Sequence, residues 1–235
     1  MSQIAQFAVH NRLLAALPPA DFERLAASLT PVTLSLKQFL VEADQPIEAA
    51  YFVETGMVSY LAYLADGEAL EVGLIGCEGM VGLPLVLGVD RASVGAMVQV
   101  DGTALRISPT ALRQAFNDSE AIRTRLLRSM QALHAQVSQT AVCNGSHSLQ
   151  ERLARWLLLA HDRAKDNQFP MTHEFMATML GVRRSGVTVT AGALKQAGLI
   201  TYTNGHMTIL DRSGLEAAAC ECYGAVKRQY EQLLG

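Results

Sequence analysis

The chain has 235 residues, half of them hydrophobic and 17% charged, with a formal net charge of −3. This composition excludes a disordered, collagen-like or strongly cationic chain, and the length suits one large or two small domains. No apolar run reaches the roughly 18 residues that cross a bilayer, and no basic N-terminal segment leads into a long apolar block, so a cytoplasmic protein without a membrane partner is expected. Charge is unevenly spread. From Glu151 onward ten Lys/Arg face eight Asp/Glu, a balance of +2, against nine and fourteen, a balance of −5, in the remainder. The C-terminal third is mildly basic on an acidic body, a distribution compatible with a nucleic-acid partner.

Residues 11–29 read as helical through Leu13, Leu14 and Leu17, broken at Pro18-Pro19 and resumed near Asp21. From Pro31 the pattern turns to short β-rich runs: TLSLKQFLV, AAYFVETG, MVSYLAYLADGEALEVGLIG and SVGAMVQVDGTALRIS. Gly56, Asp66-Gly67, Gly76, Gly79 and Asp101-Gly102 punctuate them, and Asp-Gly between alternating strands is a hairpin signal. Strands arriving every 8 to 12 or so residues suggest an all-β sandwich or jelly roll. Ser108-Pro109 ends that block. Leu126, Met130, Leu133, Val137 and Thr140 then recur at spacings of 4, 3, 4 and 3, a heptad seam two repeats long. Such a helix either packs on its own domain or self-associates. The second reading is favoured because Ile122 and Leu127 fall off the seam and are free to hold the β domain. Asn144-Gly145-Ser146 reads as a break and hinge.

The last third opens with the amphipathic helix LQERLARWLLLAHDRA and the polar loop Lys165-Asp166-Asn167-Gln168. Thr172 is a natural N-cap for HEFMATML, and Gly181 stops that helix. A second helix opens near Arg183-Arg184-Ser185 and ends about Gly198, although Gly186, Gly192 and the run Val187-Thr188-Val189-Thr190 all lower helix propensity. ITYTNGHMTIL then predicts a hairpin across Asn204-Gly205, and the tail from Ser213 reads as helix. Two short helices across a tight turn, followed by a hairpin, describe a winged helix-turn-helix, whose second helix enters the major groove. Val187, Ala191 and Leu194 can bury one side of that helix. Arg184, Ser185 and Thr188 remain on the other as base readers, with Arg184 suited to a bidentate contact with guanine. Thr172, His173 and Arg183 are placed for phosphates. No nucleophile elbow, P-loop, metalloprotease motif or paired-carboxylate site is present, so no catalytic residue is assigned and no enzyme is expected. Cys77, Cys143, Cys220 and Cys222 form no C-x-x-C pair and no Cys/His set with zinc spacing. They read as four reduced thiols and no metal is expected, with a redox-sensing thiol in the turn Cys77-Glu78-Gly79 or an iron–sulfur site as alternatives. His10, His134, His147 and His161 are too dispersed to mark a haem site.

MTHEFMATMLGVRRSGVTVTAGALKQAGLI resembles the helix-turn-helix of the Crp/Fnr regulators, named for the cyclic-AMP receptor protein and the fumarate–nitrate reduction regulator. The resemblance extends over nearly the whole chain and implies an α+β architecture. A cyclic-nucleotide-binding-like β-roll (jelly roll) with N-terminal helices occupies 1–108, a dimerisation helix and hinge 109–145, and the winged helix-turn-helix 146–235. Arg184 matches the first arginine of the family's R-E-T-V-x-R recognition motif. Ser185 stands in place of its glutamate, Gly186 of its threonine and Val189 of its second arginine. The family's nucleotide pocket uses G-E-L followed by R-S/T. Here Gly82 matches, Leu83 and Pro84 follow, and Arg91 is succeeded by Ala92, which argues against cyclic AMP because a buried phosphate needs a cation. Leu83, Arg91, Ser93 and Ser138 are carried over as the effector pocket, with the effector unassigned. The resemblance implies a homodimer on double-stranded DNA, a pseudo-palindromic operator, RNA polymerase as a partner and a small-molecule effector. Two alternatives stay open: an effector-independent regulator with a purely structural β-roll, and a small-molecule-binding module that no longer touches DNA.

Overall fold

The computed structural model describes residues 4–164 and 166–235; the first three residues and Lys165 of the expected polar loop lie outside the described residues. The chain forms two compact units. One gathers the residues up to Tyr60 with Ile75–His134 and Tyr230–Gly235, the other Leu61–Leu74 with Ala135–Gln229. These units cut across the three expected segments, since the helical stretch 109–145 divides between them and a piece of the β region joins the C-terminal unit.

In the first unit, Asn11 is fully buried and fully hydrogen-bonded. Its Oδ1 accepts from the Leu13 and Leu14 amides and so caps α1 (Arg12–Ala15), while its Nδ2 donates to the Val53 and Gly79 carbonyls, each 2.8 Å away. Helix α2 (Pro19–Ala26) starts on the second proline, where a missing N–H costs nothing. The strands are β1 (Thr30–Leu34), β2 (Phe39–Val41), β3 (Ala50–Tyr63), β4 (Ala69–Ile75), β5 (Met80–Val81) and β6 (Gly95–Ile107). β1 runs antiparallel to β6 from Thr30↔Arg106 to Leu34↔Gly102, β2 also joins β6, and β5 joins β3, which neighbours β6. Leu34, Phe52, Met57, Met80, Leu85 and Ile107 fill the interior.

Two expected turns are not turns. β3 runs straight through Gly56, and β6 straight through Asp101-Gly102. The two glycines lie against each other's strand. A Cβ on Gly56, which has φ +86°, would stand 2.5 Å from the Val100 oxygen, and one on Gly102 would stand 2.0 Å from the Thr55 oxygen. Glycine here permits close backbone approach rather than chain reversal. Asp66-Gly67 does reverse the chain, between β3 and β4.

Ser108 caps α3 (Pro109–Asp118), and α4 spans Glu120–Ser146. The expected break at Asn144-Gly145-Ser146 is absent: α4 continues through it and the chain turns only at His147-Ser148. There Ser148 and Glu151 form a capping box that starts α5 (Leu149–His161). The covered face of α4 also differs from expectation. Ile122 is buried as foreseen, but so is Leu126 of the proposed seam, whereas Leu127, expected to hold the β domain, is 44% exposed. Met130, Leu133, Val137 and Thr140 are half-buried, and Gln131, His134, Ser138 and Ala141 are exposed. The uncovered apolar strip is therefore rotated onto Leu127, Met130, Val137 and Ala141, a spacing of 3, 7 and 4 that still follows one helix face.

The second unit holds β7 (Gln168–Pro170), α6 (His173–Leu180), α7 (Arg184–Gln196), β8 (Ile200–Thr203), β9 (His206–Ile209), α8 (Arg212–Ala218) and the start of α9 (Cys222–Leu234). Its sheet has the order β7-β9-β8, and β8 and β9 meet at Thr203↔His206 across Asn204-Gly205, both at positive φ as a type I′ turn requires. Arg212 pins this end: its guanidinium donates to Asp162, Glu216 and the Tyr223 hydroxyl. The outer part of the β3–β4 hairpin belongs to the same unit. Gln136, buried on α4, donates to the Leu74 carbonyl at 3.0 Å and accepts from the Leu74 amide at 3.2 Å, and the Trp156 indole donates to Glu71 at 2.7 Å. No helix among the described residues is long and apolar enough to cross a membrane.

Gly102→Ala is expected to lower the unfolding free energy by about 1–3 kcal/mol through overpacking. Gly145→Ala, at an open site within α4, is expected to raise it by about 0.5–1 kcal/mol. Urea midpoints at unchanged slope measure both.

Candidate nucleic-acid interface

Helix α7 exists because of what it packs on. Val187, Ala191 and Leu194 are buried, as expected, and turn the helix's apolar side inward. Gly186 abuts α5, since a Cβ there would sit 3.2 Å from a Leu149 methyl, while Gly192 faces open space. Burial of these side chains outweighs the roughly 1 kcal/mol that each glycine costs a helix.

The outward side carries Arg184, Ser185, Thr188, Gly192, Lys195 and Gln196, all exposed, together with Val189, which is 75% exposed. Arg184 lies at the first turn. Its guanidinium Nε is 3.7 Å from the Glu174 carboxylate, a surface pair with both partners mostly in water, which contributes little and leaves the cation available. Arg183 occupies the N-cap position with no side-chain cap for the first amides of α7, and both Arg183 and Arg184 are exposed there. That combination of dipole, free amides and cations suits a phosphate. Thr172 caps α6, accepting from the Phe175 amide at 3.1 Å, and it is exposed.

Two expected contacts are modified by the fold. His173 is not a free phosphate ligand: its ring stacks on Tyr202 of β8 with centroids 4.7 Å apart, and Nδ1 is 3.1 Å from the Thr188 hydroxyl. Burial, then the nearby Arg184 charge, hold its pKa below the ordinary histidine value, so it is neutral near pH 7. Its Nε2 is buried and has no partner among the described residues. Thr188, meanwhile, donates to the Arg184 carbonyl at 3.0 Å. His173 and Thr188 thus tie α6, α7 and the hairpin together. Ser185 and Val189 are left as the freer neighbours of Arg184, and Val189 offers the apolar contact that a thymine methyl accepts.

The residues carried over for an effector divide between the two units. Leu83 is buried in a 3₁₀ turn (Leu83–Leu87), Ser93 is exposed, and the Arg91 guanidinium donates to the Asp44 carbonyl at 2.7 Å. Ser138 lies on the part of α4 in the other compact unit. Arg91 is exposed, and one arm of its guanidinium holds its own loop. The polar groups inside the β-roll are ones the sequence reading passed over. Ser59 and Gln99 are buried with Oγ and Oε1 2.5 Å apart, and the Gln99 Nε2 has no partner among the described residues. They lie in continuously buried stretches, 57–61 of β3 and Val98-Gln99 of β6, and nothing in their type distinguished them from surface polar residues. The thiols are not all dispersed either: Cys143, Cys220 and Cys222 gather with His147, while Cys77 stands apart.

The chain shares this architecture with several regulators of known structure. FixK2 from Bradyrhizobium japonicum aligns at a TM-score of 0.71 and 18% identity, over 82% of this chain and 98% of that one. A CRP-family transcriptional regulator from Thermus thermophilus aligns at 0.68 and 20%, over 80% and 96%. The c-di-GMP-responsive global regulator CLP from Xanthomonas campestris aligns at 0.66 and 19%, over 82% and 99%. No curated protein matches the chain. Residues 31–119 match the cyclic nucleotide-binding domain, and residues 151–218 match the Crp-like helix-turn-helix domain. With both domains present in that order on this fold, the chain belongs to the Crp/Fnr family of transcriptional regulators.

Proposed function

We propose that the protein is a cytoplasmic, homodimeric regulator that reads a pseudo-palindromic operator with α7 and answers to a ligand other than cyclic AMP. Membership of a family of DNA-binding, non-enzymatic regulators supports the first part. The observation that carries it is the two-sidedness of α7: a packed Val187-Ala191-Leu194 side behind an uncovered side led by Arg184. Arg184 reads a guanine, with Ser185, Val189 and, to a lesser degree, Thr188 beside it. Arg183, Thr172 and the α7 amides hold phosphates, and His173 positions Thr188. Two copies are needed, because one short helix reads too few base pairs for specificity. The uncovered strip of α4 at Leu127, Met130, Val137 and Ala141, flanked by the half-buried Leu133 and Thr140, supplies the seam. RNA polymerase is the expected recipient of the signal.

The departures from the family's pocket pattern, Leu83 and Pro84 after Gly82 and Ala92 after Arg91, support an effector outside cyclic AMP. A fold relative that responds to c-di-GMP is consistent with a pocket that has changed its ligand. Strand β3 offers the route. It carries Ser59 inside the β-roll and continues into the hairpin that Gln136 and Trp156 hold in the DNA-binding unit. A ligand that prefers one arrangement of that hairpin biases the dimer between two states.

Selection of bound fragments from random DNA, in the presence and absence of cell extract, tests the reading. Recovery of a symmetric consensus with half-sites about one helical turn apart is expected, and binding without sequence preference overturns it. Arg184→Ala should cost about 1–3 kcal/mol of discrimination at one base pair per half-site and leave non-specific affinity largely intact. Arg183→Ala should instead weaken binding to all sequences and reduce the salt slope by about 1 per subunit, as read from affinities across a salt series. Leu127→Glu should shift the sedimentation coefficient toward the monomer. A fully dimeric variant would place the interface elsewhere.

A further inference from the structure

A second cluster lies away from α7, at the end of α4. Cys143 and His147 are four residues apart and share a helical face; the His147 amide still donates to the Cys143 carbonyl at 3.1 Å. Cys220 and Cys222 bracket the bend between α8 and α9. The fold brings these two pairs together, so that three Sγ atoms and one imidazole nitrogen lie within 4.8 Å of one another. The spacings C-x₃-H and C-x-C each look unremarkable alone, which is why the sequence pattern hides the set.

Two of the distances are those of a tetrahedral coordination polyhedron, and the whole set lies within 4.8 Å. Zinc–sulfur bonds of about 2.3 Å and zinc–nitrogen bonds of about 2.0–2.1 Å at tetrahedral angles put ligand atoms roughly 3.6–3.8 Å apart. The Cys143 and Cys220 sulfurs are 3.5 Å apart, and the Cys222 sulfur is 3.6 Å from the His147 Nδ1. The surroundings are also those of a metal site. The other imidazole nitrogen, Nε2, lies 3.3 Å from the Glu221 carboxylate, which sets the ring with Nδ1 inward. The Gln139 amide donates to the Cys222 sulfur at 3.0 Å. Burial pushes the Cys143 thiol up, and the buried Arg155, whose Nε has no partner among the described residues, acts in the opposite direction. A guanidinium there offsets the net negative charge that three thiolates leave on a divalent ion.

We propose that Cys143, His147, Cys220 and Cys222 form a closed Cys₃His site for one thiophilic divalent ion, zinc by its donor set, with His147 ligating through Nδ1 and Glu221 holding its Nε2–H. Four protein ligands and no open position make the site structural and not hydrolytic. Uptake replaces three S–H bonds by metal–sulfur bonds and releases three protons to the buffer, with no change of oxidation state. The ion fastens the last turn of α4 to the α8–α9 bend. The site does not depend on what α7 reads.

The test uses the full chain, reduced and freed of metal, titrated with cobalt(II) and then zinc. One equivalent of cobalt should give sulfur-to-metal charge transfer and the intense visible bands of a tetrahedral ion, and zinc should bleach both. Cys143→Ser and Cys222→Ser should abolish the spectrum, and Cys77→Ser should leave it unchanged. His147→Ala and Glu221→Gln keep every sulfur in place, so they probe the site even where a cysteine variant fails to fold. Glu221→Gln should weaken zinc about 10–100-fold in chelator competition. A folded chain with four titratable thiols that gives no tetrahedral spectrum overturns the proposal. So does a Cys143–Cys220 disulfide that persists in zinc-supplemented preparations, or equal losses in Cys77→Ser.

Discussion

The carboxamide of Gln136 makes both hydrogen bonds that a neighbouring strand would make to Leu74, donating to its carbonyl and accepting from its amide. Much of the chain's behaviour depends on that substitution of a side chain for a strand. It terminates pairing at β4 without leaving a buried amide and carbonyl unsatisfied, each of which would cost about 1–3 kcal/mol. It also binds a hairpin that is covalently continuous with the β-roll into the unit that contains α6 and α7. Trp156 to Glu71, and Leu70 against Gly181, complete the grip; a Cβ on Gly181 would sit 2.7 Å from a Leu70 methyl. Gly181 thus serves twice, as the left-handed C-cap of α6 and as the gap into which the hairpin fits. A turn that could have been satisfied by asparagine is held to glycine by a neighbour distant in sequence.

The same logic governs α7. Its composition is a weak helix former, and an isolated peptide of 13 residues would not stay helical. Packing of Val187, Ala191 and Leu194 supplies what propensity withholds, and small residues on the outer side then keep the backbone near whatever it meets. A helix stabilised from behind is free to spend its front on recognition. The His173–Tyr202 stack and the His173–Thr188 contact extend that support to the hairpin.

Periodicity and caps were legible in the sequence wherever a local signal had a local cause. Thr172 as a cap, Gly181 as a stop, Asn204-Gly205 as a turn and the buried side of α7 all follow from short-range rules. The failures share a different cause. Gly56 and Asp101-Gly102 carry turn chemistry, but their requirement is set by the opposite strand, and no window along one strand reveals it. Gly145 suggested a break, yet the capping box of Ser148 and Glu151 made a later boundary better. The seam on α4 followed an ideal heptad, while actual burial follows the neighbours of Leu126. The Cys/His cluster joins residues 77 positions apart, beyond any motif spacing.

Specificity in such a molecule is divided between groups that touch DNA and groups that decide how those groups are presented. Arg184 is held by only a weak surface pair, so its geometry is determined by the axis of α7, and that axis by contacts to α5, α6 and the hairpin. Any chemistry that alters those contacts alters recognition without touching a base. Two places in the fold have the required reach. The Ser59–Gln99 pair joins β6 to the strand that becomes the hairpin, and the sulfur cluster sits where α4 hands over to α5. An orphaned amide donor in one is a costly feature for a merely structural core, and three thiols gathered about an imidazole in the other form a ready ligand set. Both are understandable when each is half of an interaction whose other half arrives from solution.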